Sequence, residues 1–158
     1  EIISRKTAEL FKASAHTAAL LAKGSLPLIK VSCNFAYSLG VAFQLRDDLL
    51  DYSGKENKTG KTIGKDFLEG KMTLPLIKAF KLSQPDDLLT MKLAFKNRDP
   101  DKLEQVINIV NKSGAISEVQ KITQEYSLNC LKLLEKFPET PYRESLQDVV
   151  INLQDRSK

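Results

Sequence analysis

The chain has 158 residues, of which 42% are hydrophobic and 28% charged, a balance typical of a globular domain large enough to bury a core. Its net charge is +4, but basic and aromatic residues do not alternate and no arginine-rich block is present, which argues against nucleic acid as a partner. The longest uncharged run, 31–45, is shorter than the roughly 18 residues of a membrane span and predicts no transmembrane segment.

Apolar residues recur at helical spacing from the start of the chain. A first helix is predicted over 2–23, and Gly24 ends it. Ser25 is a suitable cap for a second helix, which has Pro27 in its first turn and extends to about Tyr52. Because apolar residues surround most of this second helix, it is predicted to be central.

Shorter helices follow a polar loop at 53–60 and an irregular, glycine-rich stretch at 61–70. They are predicted over 72–82, 84–97, 99–113, 115–137 and 142–153. No strand-like alternation of any length occurs. The predicted fold class is an all-α helical bundle, forming a single unit over 1–158.

Two cysteines, Cys33 and Cys130, lie far apart in sequence and have no metal-ligand spacing. Each lies in an apolar, predicted helical stretch. They are predicted to be buried free thiols.

Three carboxylates, those of Asp47, Asp48 and Asp51, lie near the end of the second predicted helix. Residues 44, 47 and 51 share one helical stripe, with 48 beside it. Carboxylates are hard oxygen ligands suited to Mg²⁺. Near a helix C-terminus each costs about 0.3–1 kcal/mol, which a bound cation would offset. The alternative for the acids alone is a solvated polar helix end.

Five lysines follow at once within 55–71. Acidic and basic residues within one short stretch suggest a site where Mg²⁺ bridges carboxylates to a diphosphate and the lysines neutralise the remaining charge.

The segments FQLRDDLLD at 43–51 and GKTIGKDFLEGKMTLP at 60–75 together resemble the second aspartate-rich region of trans-isoprenyl diphosphate synthases, also called polyprenyl synthetases. RKTAELF at 5–11, and the Phe137-Pro pair with Tyr142-Arg143, resemble other parts of the same family. The resemblance covers the whole chain and is closest to the long-chain group that makes the side chains of quinones such as ubiquinone.

This resemblance implies the C-terminal half of the isoprenoid synthase fold and a Mg²⁺-dependent prenyltransferase, which condenses isopentenyl diphosphate with an allylic diphosphate to give a trans-polyprenyl diphosphate. It makes Asp47 the main Mg²⁺ ligand, supported by Asp48 and Asp51 through metal-bound water. Thr7 and Gln44 would present oxygens to the allylic cation. The lysines that it implies for the diphosphate are Lys6, Lys61, Lys65 and Lys71, of which Lys61 and Lys65 compete for one role.

The family's first aspartate-rich motif, the arginines that follow it and the isopentenyl diphosphate-binding region are absent from this sequence. Because the chain begins inside a helical pattern, it is predicted to be a fragment that is inactive alone. The alternatives are a non-catalytic subunit of a heteromeric prenyl diphosphate synthase and a chain completed by a second polypeptide. A Mg²⁺-dependent terpene cyclase is disfavoured, because cyclases replace the second acidic motif.

The resemblance also implies partners and a compartment. The ligands would be isopentenyl diphosphate and an allylic prenyl diphosphate, and helix packing would give a homodimer or a heteromer. Long products imply peripheral membrane contact. The compartment would be the cytoplasm in a bacterium, or a mitochondrion or plastid in a eukaryote. The residues that limit product length in the family are absent from this sequence, so product length cannot be read from it.

Overall fold

A computed structural model describes residues 1–53 and 63–155, except for the side chains of Ser53, Gln154 and Asp155. All regular structure in these ranges is helical, so the predicted all-α class is confirmed. A π-helix at Ser4–Ala8 leads directly into the first α-helix, and a short 3₁₀-helix at Pro100–Lys102 precedes the sixth. The α-helices are α1 (Glu9–Leu21), α2 (Leu26–Ser53), α3 (Lys65–Leu68), α4 (Leu74–Leu82), α5 (Pro85–Asn97), α6 (Leu103–Lys112), α7 (Ala115–Leu134) and α8 (Pro141–Asp155).

The long helix α2 follows the sequence prediction closely. Its first turn contains Pro27, whose missing N–H has no partner in a first turn anyway. Two elements were not predicted. The π-helix lies within the predicted first helix, and α3 forms one turn inside the stretch predicted to be irregular.

The described residues divide into two compact units. Unit 1 consists of Glu1–Arg46 and Ile122–Lys158, and unit 2 of Asp47–Lys121. The single unit predicted for 1–158 stays a prediction.

The core of unit 1 joins side chains of α2, α7 and α8. Phe35, Ala36, Cys130, Leu134 and Val150 are buried and in contact. The Cys130 thiol donates a weak hydrogen bond to the carbonyl of Phe35, with sulfur and oxygen 3.7 Å apart. Burial raises the pKa of this thiol to about 12. The buried free thiol predicted for Cys130 is confirmed, whereas Cys33 is only half-buried.

A close helix contact in unit 1 depends on Gly40 of α2. A Cβ atom at this position would lie 2.8 Å from Cα of Ala8 and 3.2 Å from Cβ of Phe11. Ala8 is fully buried. Because glycine has no side chain, α2 approaches the start of the chain closely enough for residue 7 to reach it.

The core of unit 2 is built from α4, α5 and α6 around two aromatic side chains, Tyr52 and Phe67. Phe67 comes from the single turn α3, has no exposed surface, and packs edge-on against Phe95 with ring centroids 5.6 Å apart. This side chain anchors α3 in unit 2.

Among the described residues, one helical stretch, Leu26–Tyr52 of α2, is long and apolar enough to cross a membrane. Central helices of water-soluble proteins share this length and apolar composition. The absence of a transmembrane segment therefore stays a prediction.

We expect Gly40→Ala to destabilise the fold by about 1–2 kcal/mol, because overlap with the Ala8 backbone outweighs the gain in helix propensity. Urea unfolding followed by circular dichroism measures this change. Asn34→Ala, at an exposed position of the same helix, is the matched control and should be nearly neutral. A Gly40→Ala chain at least as stable as the parent would contradict the close contact.

We expect Cys130 to resist alkylation in the folded chain, because its raised pKa leaves little thiolate at pH 8. In a Cys33→Ser background, iodoacetamide should react on the order of a hundredfold or more slowly before unfolding than after it. Mass spectrometry of the modified peptide gives both rates, and equal rates would show that the thiol is accessible.

Candidate active site

The first group of predicted site residues lies in unit 1. Thr7 belongs to the π-helix at Ser4–Ala8, a form of helix that is often found at functional sites. Its hydroxyl donates a hydrogen bond of 2.6 Å to the amide oxygen of Gln44, whose side chain is 7% exposed. The structure therefore brings Thr7 and Gln44 together, and it leaves Lys6 exposed on the same turn. Their roles toward a substrate stay predictions.

The second group consists of the carboxylates at the end of α2, in unit 2. Asp48 and Asp51 are 5% and 2% exposed, and Asp47 is half-buried. A solvated polar helix end would leave these groups in water. For Asp48 and Asp51 that alternative is wrong, and their burial means that each requires polar partners.

Asp51 has well-defined partners in α3. Its Oδ1 accepts the N–H of Lys65 at 3.2 Å, and its Oδ2 accepts the N–H of Asp66 at 3.0 Å. Its backbone carbonyl accepts the N–H of Gly64 at 2.9 Å. Asp51 thus connects the acidic end of α2 to the lysine-bearing turn.

Two lysines of this turn lie among acidic side chains. Nζ of Lys71 is 2.9 Å from Oδ1 of Asp66 and also pairs with Glu69. Nζ of Lys65 lies 3.7 Å from Oε1 of Glu69. Lys71 donates hydrogen bonds to the carboxylates of Glu69 and Asp66, and these bonds raise the pKa of Lys71. The bond that Glu69 accepts from Lys71 lowers the pKa of Glu69. Both lysines are exposed, as binding of an anion from solvent requires.

No three His, Cys, Asp or Glu side chains within 1–53 and 63–155 form a cluster that could hold a metal ion. Mg²⁺ does not need such a cage, because it commonly binds one or two carboxylates together with substrate phosphates and water. The oxygen donors of Asp47 and Asp48 fit that requirement. Whether Asp47, Asp48 and Asp51 ligate a metal stays a prediction.

Lys61, a predicted diphosphate ligand, lies outside the described residues. An open cleft of 460 Å³ in unit 2 contains none of the predicted site residues. Its lining residues are Asp87, Asp101, Glu104, Gln105, Asn108, Ile109 and Lys112.

Arg46 was not singled out from the sequence. It is 8% exposed, and neither Nε nor one terminal nitrogen of its guanidinium has a hydrogen-bond partner in the described structure. Burial lowers its pKa. The feature of the sequence that could have drawn attention to Arg46 is its place as a basic residue inside an otherwise acidic and apolar motif.

The polyprenyl synthetase family profile matches residues 1–111. The chain is 38% identical to the all-trans-nonaprenyl-diphosphate synthase (geranyl-diphosphate specific) of Rhodobacter capsulatus, over 99% of this chain and 48% of that protein. It is 32% identical to heptaprenyl diphosphate synthase component 2 of Geobacillus stearothermophilus, over 98% of this chain and 48% of that protein.

A crystal structure of polyprenyl synthase from Caulobacter crescentus CB15, complexed with calcium and isoprenyl diphosphate, has the same helical arrangement. Its TM-score is 0.90 at 32% identity, covering 99% of this chain and 48% of that one. The chain thus spans about half the length of the relatives it matches. From the profile match and these similarities, the chain belongs to the polyprenyl synthetase family.

Proposed function

We propose that this chain supplies the second aspartate-rich part of a prenyltransferase that condenses isopentenyl diphosphate with an allylic diphosphate to give a trans-polyprenyl diphosphate. The observation that carries the proposal is the attachment of the lysine turn to the end of α2 through Asp51. It joins a carboxylate-bearing helix to exposed cations, the chemistry that a metal–diphosphate ligand needs.

Within this proposal the side chains of unit 2 have distinct tasks. Mg²⁺ bound by Asp47 and Asp48 would neutralise charge on the departing diphosphate. The ammonium groups of Lys65 and Lys71 would bind diphosphate oxygens, with Lys61 as a further candidate. Lys65 and Lys71 each form an ion pair with a neighbouring carboxylate, which holds the ammonium group near one position before the ligand binds.

In unit 1, the Thr7 hydroxyl donates to the Gln44 amide oxygen and so fixes the orientation of that amide. Oxygen dipoles held in place in this way stabilise positive charge without reorganising during the reaction. We propose that Thr7 and Gln44 act on the allylic cation, and that Lys6 acts on its diphosphate.

The chain spans about half the length of its relatives, and we propose that activity also needs the part of a relative that this sequence does not match. We expect no turnover by the chain alone with farnesyl diphosphate, radiolabelled isopentenyl diphosphate and Mg²⁺. Adding a polypeptide that carries the remaining half of the Rhodobacter capsulatus relative should restore product in a butanol-extraction assay. Turnover by the unmixed chain would contradict the requirement for a second half.

A second candidate is a non-catalytic subunit of a heteromeric synthase. It is favoured by the similarity to a protein named as one component of a heptaprenyl diphosphate synthase. Asp47→Ala separates the two candidates. In a catalytic chain it should lower activity of the reconstituted mixture at least about a hundredfold, because a metal ligand is lost. In a scaffold subunit, the activity of the mixture should not change.

We expect Lys71→Met to weaken binding of inorganic diphosphate in the presence of Mg²⁺ by about tenfold, because one charge-assisted contact is lost. Isothermal titration calorimetry measures the affinity, and EDTA should abolish diphosphate binding by the parent chain and by Lys71→Met. Lys30→Met, at an exposed position of α2 in unit 1, removes the same charge elsewhere and serves as the control. Equal losses in the two variants would point to a nonspecific charge effect.

A further inference from the structure

Three consecutive backbone N–H groups converge on Asp51. Those of Lys65 and Asp66 donate to its two carboxylate oxygens at 3.2 Å and 3.0 Å, and that of Gly64 donates to its carbonyl at 2.9 Å. The Asp51 side chain is 2% exposed. Both oxygens of a buried carboxylate are therefore already bound to the protein itself.

The turn needs these acceptors because of its own sequence. The first N–H groups of a helix have no partner within the helix and are usually capped by the side chain just before it. Before α3 that residue is Gly64, which has no side chain to cap with. Asp51 supplies the missing cap from α2, and its negative charge suits a helix N-terminus.

A series of hydrogen bonds connects Asp51 to Lys71 through Asp66. Asp66 donates its N–H to Asp51 and accepts the Lys71 ammonium on its own Oδ1, at 2.9 Å. Two apolar contacts hold the same turn. Phe67 is fully buried, and a Cβ atom on Gly64 would come within 2.3 Å of Leu103. The Asp51 carboxylate is the polar element of this anchorage.

We propose that Asp51 is a positioning residue, which caps α3 so that Lys65 and Lys71 are held for the diphosphate, and that it does not ligate the metal. The proposal rests on the proposed function only for the identity of the ligand. Asp47 and Asp48 remain as the carboxylates for Mg²⁺, a sufficient number when substrate phosphates complete the coordination.

The test is Asp51→Asn, which keeps the shape of the side chain but replaces one acceptor oxygen by an NH₂ donor. In EDTA, the amide hydrogens of Lys65 and Asp66 should exchange on the order of tenfold or more faster than in the parent chain, as measured by NMR. Asp47→Asn is the matched control and should leave the exchange at both positions unchanged. Unchanged exchange in Asp51→Asn, or equal acceleration in both variants, overturns the cap.

A second readout separates positioning from metal ligation. Asp51→Asn should weaken Mg²⁺-dependent binding of inorganic diphosphate about as much as Lys71→Met does, while the metal-free exchange at Lys65 and Asp66 accelerates. Weaker binding with unchanged exchange would make Asp51 a ligand and overturn the proposal. If the parent chain binds no diphosphate, the proposed function fails, and exchange in EDTA still decides whether Asp51 is the cap.

If Asp51→Asn does not fold, the parent chain alone suffices. Exchange at Lys65 and Asp66 is then compared in EDTA and in saturating Mg²⁺ with inorganic diphosphate. Protection that is kept or increased in Mg²⁺ supports the cap. Loss of protection at both amides would show that the metal draws Asp51 away from α3, and would overturn it.

Discussion

A carboxylate buried in protein must find hydrogen-bond donors, because the free-energy cost of burying an unpartnered charge can exceed the whole free energy of unfolding of a domain. Asp51 meets this requirement with the backbone of a segment 14 residues further along the chain. The same contact serves both partners, since the first N–H groups of α3 need acceptors as much as the carboxylate needs donors. These hydrogen bonds join the lysine-bearing turn to the end of α2.

Helix α2 carries acidic residues close to its C-terminus, where the helix dipole disfavours them. The structure offsets part of that cost at Asp51 by aiming N–H groups at its carboxylate. Asp47 is half-buried and so keeps contact with solvent, which the metal-binding role proposed for it requires. Neighbouring acidic residues on one helix can therefore have different environments, and their spacing in the sequence does not reveal the difference.

The periodicity of apolar residues predicted the long helices, and it was less informative about short elements that depend on a single contact. The start of α2 follows from Gly24, Ser25 and Pro27, which are local sequence signals. The single turn α3 is too short to show a period, and it exists because Phe67 is buried and Asp51 caps it. Likewise, motif resemblance named Thr7 and Gln44 as site residues, but only the structure shows that they are hydrogen-bonded to each other.

Arg46 also has features that the sequence did not predict. Its position inside the acidic motif suggested no role, yet its guanidinium is buried with two nitrogens unpartnered among the described residues. Native proteins seldom leave such groups without a partner. Whether such a group has partners is decided by packing in three dimensions, which its place in a sequence motif does not reveal.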